Sequence, residues 1–251
     1  MSTKLYIEDT YSKSNQTVVC DSFENEIILD QTVFYPHGGG QPGDTGELQW
    51  NDKAIKIINT YNNKDGSIVH VAADMKDIPR NGDTVITSID WVRRYLHMRM
   101  HTGLHLLGSV LKYGVTGGNI SSEKSRLDFD MEEPVDKEYV NSQLEKLVSE
   151  DHQVTSSWIT QEELKKKPEL IRTMSVRPPE NANNISLVKI GSVDLQPCGG
   201  THVKSTGEVG KIVVSKVEKK GKRKRSGNVN MMNEIWRERW QREEHWRLNT
   251  C

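Results

Sequence analysis

Asp90-Trp-Val-Arg-Arg-Tyr-Leu-His-Met-Arg-Met-His101-Thr-Gly-Leu-His105-Leu-Leu-Gly-Ser-Val-Leu111 is where the pattern of the chain changes. Val92, Tyr95, Leu96, Met100, Leu104, Leu107 and Leu111 recur at helical spacing, which predicts a helix from Trp91 to about Leu111. Asp90 suits its N-cap, and Tyr113-Gly114 suits its end. His101 and His105, four apart, fall on one helical face with Cβ atoms about 5–6 Å apart. A metalloprotease helix would read His-Glu-x-x-His with the glutamate as base. Thr102, Gly103 and Leu104 stand between the histidines here, so that base is missing.

Before Asp90 the periodicity is that of strands. Thr17–Val19, Glu26–Leu29, Thr32–Tyr35, Ala54–Ile58, Ser67–Val71 and Thr84–Ile89 are short apolar runs, with turn signals at Asp65-Gly66 and Asn81-Gly82. Such spacing predicts a small β-barrel or sandwich over residues 1–90. After the helix come an alternating strand at Ser125–Met131 and a helix opened by Pro134 and running to Glu150. Strands follow at Val154–Ile159, Ile185–Ile190, Ser192–Leu195 and Val209–Val217, with a capping box at Thr160–Glu163. Residues 91–225 therefore read as a mixed α+β domain. Residues 226–251 form a tail of unknown structure, carrying Trp236, Trp240 and Trp246.

A second histidine pattern completes the first. Pro197-Cys198-Gly-Gly-Thr-His202-Val puts a thiol and an imidazole four apart in a glycine turn. His101, His105, Cys198 and His202 form a plausible zinc set, because zinc favours tetrahedral nitrogen and sulfur ligands. Four protein ligands suit a closed structural site, whereas three would leave a position for water or substrate; the spacing leaves both open. Within the strand-rich segment, Tyr35-Pro-His-Gly38-Gly39-Gly40-Gln41-Pro-Gly-Asp-Thr-Gly46 holds five glycines and two prolines in twelve residues. This loop is either a tight barrel corner or a backbone surface that approaches a ligand through Gly38, Gly39, Gly40 and Gln41. It lacks the P-loop form, so no nucleoside triphosphate is expected.

Composition narrows the class. The chain has 251 residues, 27% of them charged, and a formal net charge of −1, which argues against a general polyanion binder. Its N-terminus is polar, and no apolar run reaches the ~20 residues of a membrane span. Cys20, Cys198 and Cys251 are too few and too scattered for a disulfide framework. A reduced, cytoplasmic location with no membrane partner is expected.

His101-x-x-x-His105 with Cys198-x-x-x-His202 resembles the HxxxH…CxxxH signature of the alanyl-tRNA synthetase editing domain. The glycine-rich loop is similar to that of its free-standing relatives, the AlaX editing proteins of the medium-length type. The resemblance runs from about Lys4 to Arg225. It implies a translation-factor-like β-barrel followed by an α+β editing domain shared with threonyl- and alanyl-tRNA synthetases, with one zinc ion at His101, His105, Cys198 and His202. The implied activity is hydrolysis of mischarged tRNA(Ala), Ser-tRNA(Ala) above all and Gly-tRNA(Ala) next. A non-catalytic, zinc-stabilised tRNA-binding module is the alternative.

On that resemblance, Asp194 either orients a ligand imidazole or is a turn residue. Thr102, Thr116 and Asn119 are candidates to hydrogen-bond the substrate hydroxyl. Leu104 stands where synthetases commonly carry threonine, and Thr116 roughly where they carry glutamine, so both bear on amino-acid choice. Arg93, Arg94 and Arg99, with the basic run containing Lys222, Arg223, Lys224 and Arg225, are candidates for phosphate contacts. Solvated surface is the plainer reading of such charges.

Overall fold

A computed structural model of the chain describes residues 2–171, 173, 184–219 and 224–231; for 224–225 and 228–231 it describes the backbone alone. Strands dominate. The N-terminal part begins with β1 (Thr3–Lys4) and the one-turn helix α1 (Leu5–Glu8), followed by β2 (Ser14–Phe23), β3 (Glu26–Leu29) and β4 (Gln31–Thr32). Then come β5 (Gly46–Trp50), β6 (Lys53–Asn62), β7 (Ile68–Ala72) and β8 (Thr84–Ile89). Six of these close a barrel in the order β2-β3-β7-β6-β5-β8, while β1 pairs with β4 in parallel outside it.

Period-two alternation produces the barrel core. Val19, Ile27, Leu29, Leu48, Trp50, Ile55, Ile57, Val85 and Ile89 point inward and are buried against Phe34. The sequence expectation of a strand at Thr32–Tyr35 is corrected. Only Gln31–Thr32 pairs; beyond it the backbone N–H of Tyr35 donates to the Asp44 carboxylate at 2.7 Å instead of to a neighbouring strand. Strand β5 had no clear apolar alternation to announce it, since Gly46, Glu47 and Gln49 surround Leu48.

The second part is built on α2 (Trp91–Leu111), capped where expected: the Asp90 carboxylate accepts the Arg93 N–H at 3.0 Å. The helix ends at Lys112, which adopts the left-handed region at φ 56°. Then follow β9 (Gly114–Asn119), β10 (Lys124–Asp130), α3 (Lys137–Ser149), β11 (Val154–Thr160) and α4 (Gln161–Lys165). The chain continues as β12 (Asn184–Ile190), β13 (Asp194–Pro197), β14 (Ile212–Lys219) and β15 (Lys224–Met231). One sheet runs β14-β15-β10-β9 and another β11-β12-β13. Met98, Met100, Leu104, Leu106 and Leu107 of α2 pack with Phe129, Val140, Leu144, Val209 and Val214. Gly103 admits the close approach of Ile212, whose Cδ1 would lie 3.1 Å from an added Cβ.

Three sequence boundaries move. The helix expected from Pro134 starts at Lys137, because Asp136 is the cap and accepts the N–H groups of Glu138 and Tyr139. Gly114–Asn119, not expected as a strand, is one by virtue of pairing with β10 from Gly114↔Asp130 to Asn119↔Arg126. The tail does not begin at 226: residues 226–231 finish β15, which lies between β10 and β14. Trp236, Trp240 and Trp246 fall outside the described residues.

Polar clamps join the two parts. The Arg94 guanidinium, fully buried, forms a two-pronged pair with the Asp44 carboxylate and also donates to the carbonyls of Thr10 and Val33 at 3.1 and 2.7 Å. The Glu208 carboxylate takes the hydroxyls of Tyr11 and Tyr95 at 2.7 and 2.8 Å. The Asp44 pair fixes the glycine-rich loop against α2, and Glu208 ties the segment before β2 to the same helix.

Candidate functional site

His101 and His105 project from the buried middle of α2, and Cys198 and His202 from the glycine turn after β13. Their donor atoms all lie within 4.8 Å of one another. The three rings converge edge-to-face or tilted, at centroid distances of 4.3 to 5.3 Å. Cys198 Sγ lies 3.4 Å from His101 Nε2 and 3.3 Å from His202 Nε2. One sulfur and three imidazoles at this spacing could hold a single metal ion.

Each imidazole is held from behind. His101 Nδ1 donates to Gln41 Oε1 at 3.0 Å and His105 Nδ1 to Asp194 Oδ2 at 3.1 Å, oxygens that only accept. His202 Nδ1 pairs with the Thr102 hydroxyl at 3.1 Å, and once His202 Nε2 ligates a metal its Nδ1 is the donor. A proton on each Nδ1 leaves each Nε2 lone pair facing the cluster, the tautomer that ligates a metal. Gln196 Nε2 donates to the same Asp194 oxygen at 2.7 Å and fixes the carboxylate. Gly200 is required, because a Cβ there would collide with the His101 ring, whereas a Cβ on Gly199 would meet nothing within 4 Å.

The charges are pre-set as well. Burial pulls the His105 ring down, but the hydrogen bonds and charges of Asp194 and Cys198 outweigh it and raise the ring to about 9 in the metal-free chain, so a metal at its Nε2 displaces a proton. Burial and then the His101 ring push His202 down to about 3. Burial alone would raise the Cys198 thiol; His101 and His202 outweigh it and bring it well below its ordinary value. That direction favours the thiolate, the form that binds metal.

Arrangement and comparison agree. Residues 4–93 match the family model described as tRNA synthetases class II (A), and residues 185–228 match that of the threonyl and alanyl tRNA synthetase second additional domain. An alanyl-tRNA editing protein AlaX-M of Methanosarcina acetivorans is 32% identical over 90% of this chain and 97% of its own length. The chain belongs to the alanyl-tRNA editing protein family. The AlaX-M protein of Pyrococcus horikoshii is 34% identical over 95% of this chain and 99% of its own length. The AlaX-L protein of the same organism is 36% identical over 96% of this chain, which spans 62% of that longer relative.

Against this alanyl-tRNA editing framework, the other candidate residues sort by position. Thr102 is fully buried and bonded to His202 and, at 3.4 Å, to the Val203 N–H; its hydroxyl orients a ligand. Gln41 is also fully buried and bonded to His101, which takes it out of the exposed loop surface formed by Gly39 and Gly40. Gly38 is half-buried, and its N–H and carbonyl bond to Gln41. Thr116 lies on β9 with its hydroxyl oxygen buried and lacking a hydrogen-bond partner among the described residues, whereas Asn119 is exposed at the strand end. The loop links β9 to the cluster: the Gly40 carbonyl takes the Ile120 N–H at 2.9 Å, and adjacent Gln41 reaches His101. Leu104 packs into the apolar core.

Arg94 is corrected as a phosphate contact, because its guanidinium is buried and spent on Asp44, Thr10 and Val33. Arg99 is buried too, bonding the Val209 carbonyl at 2.8 and 3.0 Å. Arg93 is half-buried with one nitrogen on the Gly43 carbonyl at 2.6 Å. Lys222 and Arg223 lie outside the described residues; Lys224 and Arg225 start β15. Sequence reasoning missed Gln196 and Thr201, which act only through other side chains. It also missed His97, one turn before His101, which the same i, i+4 spacing would have found. His97 is buried, and burial with the charges of Arg93 and Arg94 pushes it down to about 3.

Proposed function

We propose that the chain is a zinc-dependent trans-editing hydrolase of the cytoplasm that deacylates mischarged tRNA(Ala), chiefly Ser-tRNA(Ala) and also Gly-tRNA(Ala). The observation that carries this reading is the inward-facing cluster of His101, His105, Cys198 and His202, each imidazole fixed by its own hydrogen bond. The names of the relatives supply the tRNA. The closed barrel is consistent with a translation-factor-like domain.

Hydrolysis of an aminoacyl ester needs a placed water and stabilisation of a developing oxyanion. A zinc ion at the cluster would acidify bound water or polarise the ester carbonyl. The chain's own residues do the rest. Asp194, Thr102 and Gln41 hold the three rings. The buried Thr116 hydroxyl has hydrogen-bonding capacity to offer a serine side chain. A pocket that bonds a substrate hydroxyl rejects the analogue lacking it by ~10⁴–10⁵, which separates serine from alanine; glycine, with no hydroxyl to bond, enters as the smallest side chain and is turned over more weakly than serine. Gly39 and Gly40, at φ 56° and 80°, turn exposed backbone outward beside β9 for the tRNA 3′ end. Arg93 and the 222–225 run supply phosphate contacts.

Four protein donors are also what a closed structural site uses, which favours the binding-module reading. Release of serine from Ser-tRNA(Ala), with and without a chelator, separates the two. Chelator-sensitive turnover supports the hydrolase; tRNA binding without deacylation of any mischarged tRNA supports the module.

A further inference from the structure

The two halves of the ligand set come from places about 100 residues apart in sequence, and a single side chain of the barrel domain touches both. Gln41 Oε1 accepts the His101 Nδ1 proton at 3.0 Å and the Thr201 N–H at 3.2 Å, while its Nε2 donates to Thr201 Oγ1 at 2.8 Å. Thr201 immediately precedes the ligand His202. The carboxamide is fully buried, so water does not replace it. We propose that Gln41 is a positioning residue that clamps α2 to the Cys198–His202 turn, so that the barrel domain sets how tightly the centre holds a divalent metal.

The clamp is itself rigid. Gln41 and Gly38 exchange backbone hydrogen bonds at 2.9 and 3.1 Å, and the Tyr35 hydroxyl donates to the Gly38 carbonyl at 2.9 Å. Three residues on, the Asp44–Arg94 pair ties the same loop to the first turn of α2. The bare Cα of Gly200 lies against the same Nδ1–Cε1 edge of His101 that Gln41 holds, so nothing intrudes on that hydrogen bond. Fixing Nδ1 as donor presents Nε2 as a lone pair, and the bond to Thr201 holds the turn where His202 can meet it. A loop that reads as a ligand-approaching glycine surface thus carries, at its buried glutamine, a support for the metal centre.

This inference rests on the cluster's reading as a metal site and not on the deacylase reading, so it is tested without RNA. The full chain is loaded with Zn²⁺ for chelator competition and with Co²⁺ for visible absorption. Removing a hydrogen-bond partner of a ligand imidazole typically weakens metal binding by about 10–100-fold. Gln41→Ala is expected to lose affinity in that range and to alter the Co²⁺ bands, with thermal unfolding confirming the fold. Gln41→Met, which keeps the volume, carries the same expectation should the alanine variant not fold. Gln41→Glu restores tight binding, since a carboxylate accepts from His101, the Thr201 N–H and the Thr201 hydroxyl. Lys13→Ala, which removes the contact of its ammonium with the Trp91 ring across the same domain interface, keeps wild-type affinity and spectrum. The proposal is overturned if the apolar variants bind within twofold of wild type, if Gln41→Glu is as weak as they are, or if Lys13→Ala matches them. It is also overturned if the wild-type chain binds neither ion. A wild type that binds metal but deacylates nothing leaves the clamp standing and removes the hydrolase reading alone.

Discussion

Replacing Asp44 by alanine leaves Arg94 as a charge buried without its counter-ion. Both side chains are essentially inaccessible to water, at 0% and 1% exposure. Arg94 keeps its bonds to the Thr10 and Val33 carbonyls, but these are dipoles and do not neutralise the guanidinium. Asp44 also serves the Tyr35 N–H at 2.7 Å, which alanine abandons. Breaking one partner of a buried pair costs about 3–5 kcal/mol, a large share of the roughly 5–15 kcal/mol that holds a typical domain. For a chain of this size the melting temperature is expected to fall by roughly 6–20 °C. Urea unfolding of Asp44→Ala, Arg94→Met and Asp44→Leu/Arg94→Met measures the coupling. The apolar double variant is expected to cost far less than the sum of the single ones, because no charge is left behind. A single-variant cost below about 1 kcal/mol, or strict additivity, would refute the claim that this pair locks the loop onto α2.

Other outcomes follow from the same contacts. Asp194→Asn, which replaces the acceptor on His105 Nδ1, is expected to weaken metal affinity by about 10–100-fold, as chelator competition would read. Gly200→Ala, whose methyl would collide with the His101 ring, is expected to abolish stoichiometric metal uptake measured by elemental analysis. His70 sits wholly buried in the barrel between the Thr32 hydroxyl and the Ile27 carbonyl, and burial lowers it from 6.5 to about 4. A lowered histidine stabilises the fold only while it is neutral, so its contribution is complete above pH 6.5 and drains away as pH falls toward 4. That loss amounts to about 3 kcal/mol, and His70→Gln is expected to flatten the dependence of the urea midpoint on pH across this window.

The parts of the molecule legible in the sequence are those with local signatures. The alternation of Val19, Ile55, Ile57 and Val85 and the turns at Gly66 and Gly82 announce the barrel. Helical spacing and the Asp90 cap place α2 to the residue. The four candidate ligands stand out because cysteine and histidine at i, i+4 in a glycine turn are rare in any other role. Strands β9 and β15 stayed hidden because they exist through pairing: Gly117 and Gly118 have no apolar face of their own, and β15 draws its place from β10 and β14. The burial and partners of Gln41, Thr102 and Arg94 are not legible for a related reason. Polar residues in a loop or near a histidine read as surface chemistry until the tertiary structure buries them and supplies their partners. Asp194, which the sequence left between two readings, is buried against His105.

The measurement closest to the central claim is deacylation of Ser-tRNA(Ala) by the purified chain before metal removal, after it, and after zinc is restored. The account predicts serine release that vanishes with chelation, returns with zinc, and spares Ala-tRNA(Ala) at the same enzyme concentration. Serine release unchanged in a chain shown by elemental analysis to be metal-free would contradict it.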